Sequence, residues 1–324
     1  MRAAIRTRYG PPEVVSIAEV DEPAVTDGEL LIKVHATTVN RTDCALRAAK
    51  PFFWRLAVGL FRPKVRVLGN EFAGEVAAVG GGVTAFRTGD RVFGYNDRTW
   101  GAHADYMTIR HDGMLATMPE GLTYEQAAPG TEGAHYALSV IHGARIRGGQ
   151  DVLVYGATGA IGSAAVQLLK QLGVTVTAVC ATKDVELVRG LGADKVVDYT
   201  AGDFTRDDRR YDAVIDAVGK SSFGRCKGLL KPRGVFIATD LGPYAQNPFL
   251  ALLTPLFGGR HVRFPLPRQS QAIAVRLKEL MESGAFRPVI DRSYPLDDIL
   301  EAYRYVETGH KTGSVVITFA HRES

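Results

Sequence analysis

Cysteine is scarce: Cys44, Cys180 and Cys226 are the only three in 324 residues, far apart and with no Cys-x-x-Cys pair. Such spacing offers no disulfide framework and suits a reducing compartment, so a cytoplasmic protein without disulfides is expected. Long apolar runs are missing too. The richest neighbourhoods, PFFWRLAVGLF and NPFLALLTPLF, fall short of the roughly 20 residues a membrane helix needs, and Arg55 breaks the first. The N-terminal MRAAIRTRYGPPE has no apolar core of signal-peptide length, so the mature chain is expected to start there. Charge of one sign is nowhere concentrated. The net +4 comes from scattered Lys and Arg, which argues against a nucleic-acid or membrane face. Internal repeats and low-complexity segments are absent.

What the chain does have is apolar patterning, 46% hydrophobic residues over a length that favours two domains. Up to about Glu120, short β-rich runs such as ELLIKVHATTV, FAGEVAAVG, DRVFGY and HADYMTIR are cut by Gly, Pro and Asp, the pattern of a β-barrel. From about Gln150, apolar strands alternate with helices: DVLVY, VTVTAVC, KVVDY, DAVIDAV and GVFIATD. This is the signature of a doubly wound parallel sheet covered on both faces, an α/β Rossmann architecture. Ile161, Ala164, Ala165, Leu168, Leu169 and Leu172 recur at helical spacing, and Gly173 supplies the stop. After a strand at Val262–Pro267, two helical patterns and a final strand, GSVVITF, most simply return to the first domain. The expected division is 1–122 with 268–324, and 123–267 between them.

Between DVLVY and its helix stands GATGAIG: Gly156, Ala157, Thr158, Gly159, Ala160, Ile161 and Gly162. In a dinucleotide fold the middle glycine admits the pyrophosphate, the last lets helix and strand pack closely, and the helix N-terminus attracts phosphate charge. Gly159 and Gly162 match those roles; a tight turn without a ligand is the alternative. An NAD site usually places an acid at the end of the second strand. Thr182 and Lys183 stand there instead, and a hydroxyl with an ammonium suits a 2′-phosphate, pointing to NADPH. Tyr199 closes the next strand and is a further candidate donor. Val218, Leu241 and Lys311 complete the expected cofactor contacts.

The stretch VNRTDCALR puts Asp43 beside Cys44 just after a strand, which raises the question of a zinc site. The run GNEFAGEVAAVGGGVTAFRTGDRVFG, then GAHADY, GATGAIG and GHKTGSVVI, resembles the medium-chain dehydrogenase/reductase superfamily in its zinc-independent quinone-reductase branch, over essentially the whole chain. The resemblance implies a co-chaperonin-like (GroES-like) barrel domain, a Rossmann domain, and a cofactor in the cleft between them. In zinc-dependent members a cysteine ligand stands three residues before the motif's aspartate, where this chain has Asn40, and a Gly-His-Glu histidine is matched by Asn70 in Gly69-Asn70-Glu71. Cys44 is out of register and reads as a small apolar residue of a helix. No metal is expected.

Without a Lewis acid, alcohol oxidation is disfavoured. A quinone or an α,β-unsaturated carbonyl needs less help, because the charge gained with a hydride spreads onto an oxygen that hydrogen-bond donors can hold. Asn40 and Asn70 are the candidate site amides, with Asn40 favoured as donor and loop capping as the alternative role. Tyr95 and His135 are candidate proton donors. The segment Pro51–Phe61 is either an apolar substrate wall or a core or dimer-contact helix. The expected activity is NADPH-dependent reduction of a quinone or enone by a homodimer. A non-catalytic NADPH-binding scaffold or redox sensor, and an alcohol dehydrogenase, are the competing readings.

Overall fold

The structure, a computed structural model, describes residues 1–52 and 54–321. The chain divides into two compact units. The first comprises Met1–Thr131, Gln269–Glu282 and Pro288–Ser324; the second comprises Glu132–Arg268 and Ser283–Arg287.

In the first unit the strands are β1 (Arg2–Arg6), β2 (Val15–Glu19), β3 (Glu29–Val39), β4 (Glu71–Val79), β5 (Arg91–Tyr95), β6 (Tyr106–Arg110) and β7 (Met114–Thr117). The second unit holds β8 (Asp151–Tyr155), β9 (Thr175–Cys180), β10 (Lys195–Asp198), β11 (Tyr211–Asp216), β12 (Leu230–Ala238) and β13 (His261–Arg263). The chain then adds β14 (Ile290–Pro295) and β15 (Ser314–Thr318) to the first unit.

β3 organises the GroES-like unit. It is the run ELLIKVHATTV, long enough to be shared: Glu29–Lys33 pair with β6, while Ala36–Val39 pair with β15, and β4 runs along the other edge. Among the described residues the main path is β14-β15-β3-β4-β5-β7. Leu30, Ile32, Val34, Phe72, Val76 and Val92 bury together on one side of it, as period-two alternation requires.

The second unit is a Rossmann-type sheet of six parallel strands in the order β10-β9-β8-β11-β12-β13. Its strands read as continuous apolar runs because helices cover both faces. The helix Ala160–Gln171 follows β8 and buries Ala164, Ala165, Leu168 and Leu169. Leu172 departs from the stripe: it is the C-cap residue and 45% exposed, since the chain turns away there, with Gly173 at φ +71.

The strand expected over Val262–Pro267 is shorter, ending at Arg263. Pro265 and Pro267 have no N–H to extend a ladder. No helix among the described residues is long and apolar enough to cross a membrane.

Candidate functional site

In the first unit a buried polar cluster gathers where β3 ends and β4 begins. Asn40 is the N-cap of the helix Arg41–Ala48, in a reciprocal capping box: its Oδ1 accepts from Asp43 N at 2.9 Å, and Asp43 Oδ2 accepts from Asn40 N at 3.0 Å. Asp43 Oδ1 also accepts from Gly69 N at 3.0 Å. Burial pushes the Asp43 carboxyl up, against the pull of His103 and of those two backbone donors. Gly69 has φ +87, and a Cβ there would stand 2.5 Å from the His103 ring, so only glycine admits this approach.

The next residue, Asn70, is bonded to that cap. Asn40 Nδ2 donates to Asn70 Oδ1 at 2.8 Å. The backbone N–H of Asp43 fixes Asn40 Oδ1 as an acceptor, so the Asn40 amide must donate through nitrogen and Asn70 must receive through oxygen. That leaves Asn70 Nδ2 buried with no acceptor among the described residues. A buried donor left unpaired is costly, and such groups mark places where a partner is to be supplied. Asn40 thus has its oxygen and one N–H committed and keeps a second N–H, whereas neither N–H of Asn70 meets an acceptor among the described residues, which makes Asn70 the stronger candidate donor of the two amides.

Glu71, buried at the start of β4, accepts from Thr38 Oγ1 at 2.8 Å and from Thr131 N and Oγ1 at 3.1 and 2.9 Å. His103 Nε2 meets Thr38 O at 2.8 Å, and its Nδ1 meets Tyr303 Oη at 3.2 Å. A carbonyl only accepts, so Nε2 carries a proton, and in the neutral ring the Tyr303 hydroxyl donates to Nδ1. The sequence reading missed Glu71, Thr131, His103 and Tyr303. The one signal for Glu71 was its place in Gly69-Asn70-Glu71.

Tyr95 is the last residue of β5, facing Glu71 in the strand register, and is buried. His135 lies in the second unit, fully buried in the helix Glu132–Ala144 with its ring 4.7 Å from that of Tyr136. Of Pro51–Phe61, Phe53 lies outside the described residues. Phe52 and Phe61 are largely exposed, which removes the core reading for those two.

The zinc donor set does not fit this chain. The two matched ligand places hold amides bonded to each other, and Cys44 is packed among Val39, Leu46 and Tyr303, its thiol pushed up to about 12 by burial. Among the described residues no group of three or more His, Cys, Asp or Glu is placed to hold a metal ion.

In the second unit the glycine turn does fit a dinucleotide. A Cβ on Gly162 would lie 2.1 Å from Gly156 O, so glycine is what allows the helix to sit this close to β8. Gly159 is the N-cap of that helix, with no side chain capping the exposed N–H groups, and a Cβ there would meet nothing nearer than 3.8 Å. An uncapped, open helix N-terminus is suited to a phosphate. Val218 packs over Gly156. Its loop is held by Asp216, a buried residue not anticipated from the sequence, which accepts from the N–H groups of Val218, Gly219 and Ser221 at 3.1, 2.9 and 2.8 Å. Leu241 follows β12, its carbonyl accepting from Asn247 N at 3.0 Å.

The expected trio lies at the ends of β9 and β10. Lys183 is exposed and Tyr199 is 50% exposed. The Thr182 hydroxyl lies 2.5 Å from Asp198 Oδ2 and 2.7 Å from Thr200 Oγ1. Those hydroxyl groups, Thr182 first, hold the Asp198 carboxyl below its ordinary value. Lys311 belongs to the first unit, where its ammonium meets the Gly313 carbonyl.

Comparison with known proteins agrees with this layout. Residues 26–121 match the family model described as alcohol dehydrogenase GroES-like domain, and residues 191–317 match zinc-binding dehydrogenase. The chain is 30% identical over 356 residues to the mitochondrial NAD(P)H oxidoreductase RTN4IP1 of Bos taurus, covering 98% of this chain and 89% of that one. It is 28% identical to the chloroplastic NADPH-dependent alkenal/one oxidoreductase of Arabidopsis thaliana, covering 98% and 79%. Among solved structures, the quinone oxidoreductase from Coxiella burnetii superposes with a TM-score of 0.88 at 27% identity, covering 98% of this chain and 99% of that one.

Proposed function

Because the chain belongs to the medium-chain dehydrogenase/reductase superfamily, in its quinone-oxidoreductase-like branch, we propose that it is an NADPH-dependent reductase of quinones or α,β-unsaturated carbonyls that works without zinc. The observation that carries this reading is Asn70 Nδ2, a buried N–H with no acceptor, in the place where zinc-dependent relatives put a ligand. A neutral amide donor is too weak to hold a full alkoxide, as a Lewis acid does, but it suits the delocalised charge of a reduced quinone or enone. Bound nicotinamide supplies the hydride. Gly156, Ala157, Thr158, Gly159, Ala160, Ile161 and Gly162 hold the pyrophosphate, Val218 and Leu241 line the neighbouring strand ends, and the first unit presents Asn70 to the acceptor. For the proton that completes reduction we favour Tyr95, at the same strand ends as Glu71, over His135. Purified protein mixed with NADPH and a panel of quinones and enones should oxidise the nicotinamide, read by its absorbance. Tight NADPH binding without turnover across a broad panel would favour the scaffold.

NADPH preference rests on Lys183 and Tyr199, with Thr182 now a positioning group for Asp198. An exposed charge-assisted contact is worth about 1.5 kcal/mol, the low end of its range. Lys183→Ala is therefore expected to weaken NADPH about tenfold and leave NADH nearly unchanged. Tyr199→Phe acts in the same direction with a smaller loss, and Lys311→Ala tests for a further contact. Titration of both cofactors decides it, and parallel losses for NADPH and NADH would refute the 2′-phosphate assignment.

A homodimer is the assembly we expect. β13 ends the parallel sheet, and beside it Phe249, Leu252, Leu256 and Phe257 are between 65% and 83% exposed. An unpaired strand edge next to bare apolar side chains favours pairing with a second copy. Light scattering should give a dimer mass, shifted towards monomer by the double replacement Leu256→Lys and Phe257→Glu. A monomer mass for the wild type at micromolar concentration would overturn it.

A further inference from the structure

Glu71 does more than border the amide pair. Its buried carboxylate receives one hydrogen bond from Thr38 on β3, at 2.8 Å, and two from Thr131, through the backbone N–H at 3.1 Å and the hydroxyl at 2.9 Å. Thr131 is fully buried and is the last residue of the first unit's opening segment; Glu132 opens both the second unit and its first helix. Glu71 is also the residue after Asn70. One carboxylate thus ties together the strand end that carries the free amide donor, the neighbouring strand, and the point where the chain departs for the nucleotide-binding unit.

We infer that Glu71 is a positioning residue, anchoring the crossover at Thr131 to the strand end that presents Asn70. The inference rests on the reading above, in which the acceptor sits beside Asn70 and the cofactor on the second unit. A reaction between groups carried on two units is sensitive to misplacement of about 1 Å, and a covalent crossover tied at a fixed point limits such misplacement. A carboxylate suits this task because it accepts all three donors at once, and charge-assisted hydrogen bonds are stronger than neutral ones. A glutamine keeps the shape and can turn its oxygen to the two Thr131 donors and its NH₂ to the Thr38 hydroxyl, which accepts as well as donates, but every contact then becomes a weaker, neutral hydrogen bond.

The test compares Glu71→Gln, Thr131→Val, Thr131→Ser and the double variant Glu71→Gln/Thr131→Val. Three quantities are measured: exchange of the Thr131 amide hydrogen, the cofactor dissociation constant, and kcat and KM for a quinone. Glu71→Gln is expected to speed exchange at Thr131 about tenfold and to lower kcat about tenfold, with KM and cofactor affinity within about twofold of wild type. Thr131→Val should lower kcat in the same way, Thr131→Ser should restore it, and the double variant should lose no more than the worse single one. A role confined to stability would not separate kcat from KM and cofactor affinity in this manner. Wild-type kcat in both Glu71→Gln and Thr131→Val, or fast exchange at Thr131 in the wild type, would overturn the anchor. If the wild type reduced no quinone or enone, the assignment of the acceptor would fail by itself, and the exchange rates would still decide whether Glu71 holds Thr131.

Discussion

Gly162→Ala is expected to abolish measurable dinucleotide binding and to lower Tm by several degrees. The added Cβ would lie 2.1 Å from Gly156 O, 2.8 Å from Gly156 C and 2.9 Å from Ala157 Cα. All three are backbone atoms of the turn, so no side chain can swing aside. The helix Ala160–Gln171 must move away from β8, and overpacking of this kind typically costs about 1–3 kcal/mol. At about 2–4 °C per kcal/mol for a domain of this size, the shift is readily measured by thermal melting. The phosphate cradle depends on the same helix terminus, so its geometry is lost with the packing. Gly159→Ala is the informative control. Its Cβ meets Gly156 O only at 3.8 Å and Val218 Cγ1 at 4.0 Å, so Tm should hold while cofactor affinity falls, because the new methyl stands where the backbone must approach the pyrophosphate. Unchanged cofactor affinity in Gly162→Ala would remove the turn from the binding site.

Asn70→Ala is expected to lower kcat for quinones and enones by about 100- to 1,000-fold, the usual effect of removing one preorganised donor to a developing oxyanion. Truncation also strands Asn40 Nδ2, which now donates to Asn70 Oδ1 at 2.8 Å. Asn70→Asp separates the two effects. An ionised aspartate still accepts from Asn40 and has no N–H to offer, so activity should fall without loss of that contact. Burial raises the pKa of such a carboxyl, and once protonated it becomes a donor. The Asn70→Asp enzyme should therefore regain kcat as pH falls, whereas Asn70→Ala should not. Asn40→Ala, which removes a helix cap worth about 1 kcal/mol, should show its main effect in Tm. Wild-type kcat in a folded Asn70→Ala protein would show that the free N–H takes no part in the reaction.

The sequence by itself determined what depends on local pattern. A β-rich run marked β3, a short apolar run marked β8 and period 3.6 marked the helix Ala160–Gln171, and the alternation of apolar strands with helices marked the parallel sheet. The missing zinc donors were likewise legible, as asparagine at positions 40 and 70, and so was Cys44 as a buried apolar residue. The fate of each polar group was decided only by the tertiary structure. Which of Asn40 and Asn70 donates to the other depends on which amide oxygen faces the Asp43 backbone, and thus on how β4 meets the end of β3. Glu71 finds Thr131 at 60 residues' distance, and His103 finds Tyr303 at 200. Thr182 turns to Asp198, on the neighbouring strand β10. Apolar burial is non-directional and follows a repeat that a short window of sequence reveals, whereas a hydrogen bond needs one particular partner at one distance and angle, which long-range packing alone brings into place.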